Sequence, residues 1–255
     1  GGMPHAVQEH LTSLSLLRCQ EIQESLLQSY RADFKKYASK AQLRHLQLMF
    51  QKVPEQVGQV VKFSKIDREI RSHELREAIF LLTEIGLMQQ AFATSASGLP
   101  LHAHIYDHRF KLFFLDVGLL QSSLHISAQD FFEKEILQIN NGMLAEQFVS
   151  QELLAYAEPH KNQPLLFWED HSGQAEIDFL ITFQSKMIPI EVKAGATGTL
   201  RSLHSFLKKK ELPLGIRISE KPLSLHDHIL SVPFYMIYDL SRLTFEALNR
   251  IQSNT

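Results

Sequence analysis

Gly173-Gln-Ala-Glu-Ile-Asp-Phe-Leu-Ile-Thr-Phe183, followed after Gln184-Ser185-Lys186 by Met187-Ile-Pro-Ile-Glu-Val-Lys193-Ala-Gly195, is the stretch that decides the fold. Both halves alternate apolar and polar residues over a short span bounded by small or turn-forming residues, the pattern of half-buried strands. A tight turn at Gln184-Ser185 makes them a hairpin in which Asp178 lies opposite Glu191, and Glu176 opposite Lys193. Side chains alternate across a sheet, so Glu176, Asp178, Glu191 and Lys193 then share one face. Ile177, Phe179, Ile190 and Val192 share the other. A loop one residue longer would put Asp178 and Glu191 on opposite faces, so the whole reading hangs on the turn.

Two carboxylates facing each other across strands repel by about 0.2–1 kcal/mol. A cation between them removes that cost, and carboxylate oxygens with room for water and phosphate suit Mg²⁺ or Mn²⁺. Lys193, on the same face, is placed to hold an attacking water or to offset charge in a phosphoryl transition state. The plainer alternative is a solvated strand face with a Glu176–Lys193 cross-strand pair.

Asp178, then Glu191-Val192-Lys193, resembles the D…(D/E)-x-K signature of the restriction-endonuclease-like, or PD-(D/E)XK, nuclease superfamily. The surrounding text is more specific: Gly142-Met-Leu-Ala-Glu146-Gln-Phe-Val, Phe167-Trp168, Ala175-Glu-Ile-Asp-Phe-Leu-Ile181, Pro189-Ile-Glu-Val-Lys-Ala-Gly195 and, upstream, Phe110-Lys-Leu-Phe-Phe-Leu-Asp-Val-Gly-Leu-Leu120. It is similar to the uncharacterised domain C-terminal to the ATPase module in a large family of prokaryotic AAA-type ATPases. The resemblance implies a Mg²⁺- or Mn²⁺-dependent nucleic-acid phosphodiester hydrolase, with Glu146, Asp178 and Glu191 as metal ligands and Lys193 completing the catalytic set. Glu146 matches the helical glutamate that precedes the core hairpin in that superfamily; Glu152 is the fallback. The implied partners are nucleic acid, DNA in the first instance, an AAA-type ATPase module and a second copy of the chain in a homodimer. A rival of another class keeps the fold as a nucleic-acid-binding or docking module without turnover.

With 255 residues, 44% apolar and 21% charged, the chain has the make-up of an ordinary globular protein able to bury a substantial core. A single cysteine, Cys19, excludes an internal disulfide framework and suits a reducing cytoplasm, the expected location. No apolar run is long enough for a bilayer, and no secretory signal is evident. Gly1-Gly2-Met3-Pro4 reads either as a tag scar or as the junction that follows the ATPase module in the resembled family. No G-x-x-x-x-G-K-[ST] occurs, so ATP hydrolysis by a phosphate loop is not expected. A net charge of −2 gives no global nucleic-acid signal, and any such binding must use local patches.

Periodicity predicts helices over Val7–Tyr30 and Asp33–Gln51, then His73–Ile85 with Ser72 as N-cap and Gly86 as stop. Leu87–Ala93 and Leu101–Tyr106 read as a two-stranded ribbon, giving the order of a winged helix. Lys62, Lys65, Arg68, Arg71, His73 and Arg76 make that region basic, but Asp67, Glu69, Glu74 and Glu77 nearly cancel them. An interaction or spacer role is therefore favoured over DNA contact there. His102, His104, Asp107 and His108 invite a metal reading, since H-x-H on a strand puts two imidazoles on one face; scattered surface histidines are the better reading.

Phe110–Leu120 is a dense apolar run in which Asp116 caps or bonds buried backbone. Helical patterns follow over Asp130–Ile139 and Leu144–Tyr156, interrupted by Asn141-Gly142. Pro164–Trp168 is a strand leading into the hairpin, with Trp168 and His171 close enough to flank a groove. Thr199 is a candidate cap for a helix to Lys210, whose Arg201, Lys208, Lys209 and Lys210 are the candidate phosphate contacts. Strands at Leu214–Ile218 and Ile229–Tyr238 and a closing helix, Arg242–Ile251, complete an α/β fold. The expected organisation is a helical, winged-helix-like domain over 1–120 and a restriction-endonuclease-like α/β domain over 121–255.

Overall fold

A computed structural model describes residues 1–126, 134–157, 164–170, 173, 175–195 and 198–253. In chain order the helices and strands are α1 (Pro4–Ser13), α2 (Leu16–Asp33), α3 (Lys40–Lys52), α4 (Phe63–Ile66), α5 (Ser72–Glu84), β1 (Met88–Thr94), β2 (Ile105–Phe114), α6 (Val117–Ser123), α7 (Lys134–Ala155), β3 (Leu165–Glu169), β4 (Glu176–Phe183), β5 (Lys186–Val192), α8 (Arg201–Lys210), β6 (Gly215–Ser219), β7 (Ser224–His226), β8 (Ile229–Pro233) and α9 (Leu240–Ser253). The protein is mixed α/β with a helical N-terminal part. It divides into two interleaved units, Gly1–Gln90 with Lys111–Gln151, and Ala91–Phe110 with Glu152–Thr255.

In the first unit, one expected helix is two. Leu14 adopts a left-handed conformation (φ 53°) that ends α1, and Ser15 starts α2 by accepting the Arg18 N–H at 3.3 Å. Polar capping outweighs continued apolar periodicity because it satisfies backbone donors that a helix start leaves open. Ser39 and Gln42 form a capping box for α3. Helices α3 and α5 pack on each other, and the apolar Leu46 and Met49 of α3 and Leu75, Ile79 and Leu82 of α5 are buried. Phe50 lies 5.1 Å from Phe34 and 5.6 Å from Phe114, ring centre to ring centre. Asp116 caps α6, accepting the Leu119 N–H at 3.0 Å. Asn141-Gly142 does not interrupt α7, which runs through both residues.

The Gln147 side chain, on α7, closes the end of β2. Its amide accepts the Phe114 N–H and donates to the Phe114 carbonyl, both at 2.7 Å. A primary amide carries the same donor–acceptor pair as a peptide unit, so Gln147 serves as a one-residue strand neighbour for an edge position.

The second unit carries a mixed eight-stranded sheet in the order β2-β1-β3-β4-β5-β6-β8-β7. β3, β4 and β5 form an antiparallel meander, β5 runs parallel to β6, and β6 parallel to β8. Parallel neighbours need a crossover, and α8 supplies it between β5 and β6. Leu203, Phe206 and Leu207 of α8 pack against Trp168, Ile177, Leu180 and Met187 of the meander. The expected ribbon does not stand free as a wing: β1 pairs in parallel with β3, and Leu101–His104 is a 3₁₀ turn rather than a strand. Parity could not reveal this, because β1 is as consistent with a hairpin as with a sheet interior.

Candidate metal and nucleic-acid site

Gln184 and Ser185 have φ of 46° and 58°, the double left-handed turn that matches strand twist in a two-residue hairpin. Pairing runs from Phe183↔Lys186 to Phe179↔Ile190, the register read from the sequence. Its continuation would set Asp178 against Glu191, but β4 changes step there. Leu166 pairs with Leu180 and Trp168 with Ile177, so Asp178 and Phe179 together face Phe167 alone. Such a bulge re-aims side chains. Strict alternation fails at this point: Ile177 and Leu180, three residues apart, join the same apolar cluster. The Asp178 carboxylate reaches across to β5 and accepts the Val192 N–H at 2.7 Å.

Glu191 is 6% exposed. One carboxylate oxygen accepts from Lys193 Nζ at 2.6 Å; the other, Oε2, is buried and has no hydrogen-bond partner among the described residues. Burial raises the Glu191 pKa most and the Asp178 charge adds to it, with Glu176 contributing less and Lys193 opposing, so the group is pushed up to about 7. Asp178, Glu191 and Lys193 therefore interact as one cluster. Lys193 is steadied by its own N–H, which donates to the Ile218 carbonyl at 2.9 Å. Gly198 (φ 132°) lies beside its stem, where an added Cβ would come within 3.2 Å of Lys193 Cδ.

Glu146 lies in the first unit, where its carboxylate is 3.5 Å from the ammonium of Lys111, itself 1% exposed. Glu152 is partly buried in the last turn of α7. Among the described residues no three His, Cys, Asp or Glu side chains come together as a metal-holding group. His102 and His104 sit in the 3₁₀ turn, which removes the shared strand face expected of them, and His171 lies outside the described residues.

The basic run of α8 is split by its geometry. The helix starts at Arg201 with Leu200, not Thr199, in the cap position. Arg201 and Lys208, seven residues apart and so on one face of the helix, are both exposed. The Lys209 ammonium lies 5.6 Å from the Trp168 ring centre. Lys210 turns inward and donates to the Ala96 carbonyl at 2.7 Å and the Ser95 carbonyl at 3.4 Å; burial, with the neighbouring Lys209, lowers its pKa. Lys210 is thus a structural tie between α8 and the 95–96 backbone.

Two features escape sequence reading. Arg217, on β6 at the position paired with Glu191, is buried and donates to Ser219 Oγ at 3.0 Å and the Gly195 carbonyl at 3.5 Å. A single arginine inside the apolar run Gly215–Ser219 is the signal that could have found it. Arg109 grips Glu169 with two guanidinium nitrogens, Nη2 at 2.6 Å. Nothing local in sequence signals a contact 60 residues apart.

Residues 141–236 match the model of a domain of unknown function (DUF4143). No curated protein and no solved structure matches the chain. Residues 1–130, just over half of the 255, match a second model, and the chain belongs to the family it defines, the domain of unknown function DUF8612.

Proposed function

We propose that the protein is a metal-dependent nucleic-acid phosphodiester hydrolase acting in the cytoplasm. The single observation that carries the proposal is the orphaned Oε2 of Glu191. A buried carboxylate oxygen without a donor is costly, and an adjacent second carboxylate, Asp178, makes the deficit worse. A hard divalent cation satisfies both, so the residues fit Mg²⁺ or Mn²⁺. When bound, that ion would neutralise phosphate charge and make water a better nucleophile. Asp178 and Glu191 would hold it.

The chain's own part in the reaction is positional. Lys193, now on Glu191 Oε1, would pass to the incoming phosphate and water once a cation takes over the carboxylate. Arg201 and Lys208, exposed on α8, would track the phosphate backbone. Lys209 would join them, while Lys210 is committed to carbonyls. The succession of α7, the β3–β5 meander, α8 and parallel β6 supports a restriction-endonuclease-like core. A second copy of the chain would be needed to cut two strands at once. DUF4143 domains are often found with AAA-type ATPases, which supports such an ATPase as partner.

The rival, a docking module without turnover, is favoured by the Glu191–Lys193 ion pair, which already offsets one of the two carboxylate charges without a cation. Cleavage of mixed DNA and RNA with Mg²⁺, Mn²⁺ or chelator decides between them. Metal-dependent cleavage abolished in Asp178→Ala and Lys193→Ala, with Mn²⁺ binding lost only in the former, supports the enzyme. Absence of both cleavage and calorimetric Mn²⁺ binding in the wild type leaves the docking module.

A further inference from the structure

The second unit contains a cleft of about 610 Å³ that the phosphodiester chemistry does not use. Its volume is within the range that holds a small organic ligand. Trp168, 7% exposed, lies in its wall, packed at 4.7 Å on Phe206. Tyr106, 40% exposed, and His108, also exposed, stand 6.5 Å apart at the rim as an edge-on ring pair. The Lys209 ammonium lies over the Trp168 ring and is exposed.

The charges in the cleft are largely accounted for. Arg109 and Glu169 neutralise each other as a bidentate pair. The Asp170 carboxylate accepts the Ala175 N–H at 3.2 Å, bracing its own turn. Lys210 is held by the Ser95 and Ala96 carbonyls. The most exposed groups that remain are the two aromatic rings, the Lys209 ammonium and the small Ser97 hydroxyl, with the Asp170 carboxylate half-buried, a composition suited to a flat, π-faced ligand bearing one negative charge.

The cleft adjoins the carboxylate pair. Trp168 and Glu169 on β3 pair with Ile177 and Glu176 on β4, the two residues before Asp178. Glu176 acts electrostatically on both Arg109 and Glu191. Anything lodged in the cleft is therefore one strand away from the proposed cutting site.

We infer that this cleft receives an unpaired nucleotide, its base stacked on Tyr106 with His108 at its edge and its phosphate at Lys209, so that the preferred substrate is single-stranded nucleic acid. The inference rests on the hydrolase reading and names its substrate class. Bases in a duplex are stacked on one another and cannot enter a concave aromatic site, whereas each base of a single strand offers a free face. The charge pattern agrees. Binding carried by stacking with one ammonium needs no broad basic stripe, and the chain's net charge is −2.

Trp168 is the protein's sole tryptophan, so indole emission comes from the wall of the cleft. The full chain in chelator is titrated with an oligothymidylate about 12 nucleotides long and, separately, with the same strand annealed to its complement. Expected is a saturable emission change with the single strand, at least tenfold weaker apparent affinity for the duplex, and loss of about tenfold or more in Tyr106→Ala. Lys209→Ala should lower the log–log salt slope by about 0.7. Both side chains are solvent-facing, and circular dichroism checks that the variants fold.

No saturable change, equal affinity for the duplex, or an unaltered affinity in Tyr106→Ala overturns the inference. The parent reading fails separately. Tyr106-dependent binding without metal-dependent cleavage of any substrate would leave the cleft standing and remove the hydrolase. Cleavage that ignores Tyr106→Ala would do the reverse.

Discussion

Lys193 Nζ donates to Glu191 Oε1 at 2.6 Å, leaving the buried Glu191 Oε2 with no hydrogen-bond partner among the described residues. The pair is therefore half a site: one oxygen is held by Lys193 and the other is open to a ligand.

Metal-free stability should depend on pH through Glu191. Its folded pKa of about 7 exceeds its ordinary 4.5, so protonation favours the native state. That contribution is fully present below about 4.5 and is lost as pH rises through 7. Urea melts in chelator between pH 4.5 and 8 should show a fall on the order of 1–3 kcal/mol, discounted for coupling to Asp178 and Lys193. Glu191→Gln should flatten it. A wild-type profile that rises over the same window would contradict the sign. Protons and a divalent cation compete for the same oxygens, so Mn²⁺ affinity should climb with pH up to about 7 and then level off.

Inserting one glycine between Gln184 and Ser185 tests the register. The turn has both residues left-handed, and a longer loop shifts pairing so that side chains change faces. The variant should stay folded by circular dichroism yet lose Mn²⁺ binding. Ser185→Gly, which keeps the register and relieves a left-handed serine, should stabilise the protein by about 0.5–1 kcal/mol in thermal melts. Retained metal binding in the insertion variant would show that the carboxylate pairing does not depend on this turn.

Gln147→Ala leaves the Phe114 N–H and carbonyl, both now bonded at 2.7 Å, without their side-chain partner. Unmade buried hydrogen bonds cost about 1–3 kcal/mol each, so a loss of about 2–4 kcal/mol is expected in chemical denaturation. Gln147→Glu keeps the shape and the acceptor but removes the donor, and should recover only part of it. A change within about 0.5 kcal/mol for Gln147→Ala, the scale of an ordinary surface substitution, would mean that water replaces the amide at that edge.

The lysines of α8 should separate by function. Lys208→Ala and Arg201→Ala should weaken nucleic-acid binding and lower its salt slope by about 0.7–0.9 each. Lys210→Ala should instead reduce stability by about 1 kcal/mol, because it removes a tie to the Ala96 carbonyl, with little change in slope. Equal behaviour of Lys208 and Lys210 in filter binding and melting would contradict this division.

From the sequence alone came the hairpin, its two-residue turn and the register up to Phe179↔Ile190, because a period of two and a turn at Gln184-Ser185 are local properties. That Glu191 and Lys193 share a face was legible for the same reason, as were the strand after Pro164, the α8 span and the cap at Asp116; Asp178 joins them through a bulge that alternation does not foresee. Three kinds of fact were not. Helix ends at Leu14, Ser15 and Ser39 depend on side-chain capping that competes with apolar periodicity on nearly equal terms. The bulge at Asp178, which aims that carboxylate at the Val192 N–H, exists only because β3 pairs on the other side of β4 with one residue fewer. The roles of Gln147, Lys210, Arg109 and Arg217 are set by partners from 2 to 115 residues away. Local sequence names the residues able to make such contacts; tertiary packing decides which backbone groups are left unpaired, and therefore which side chains must answer them.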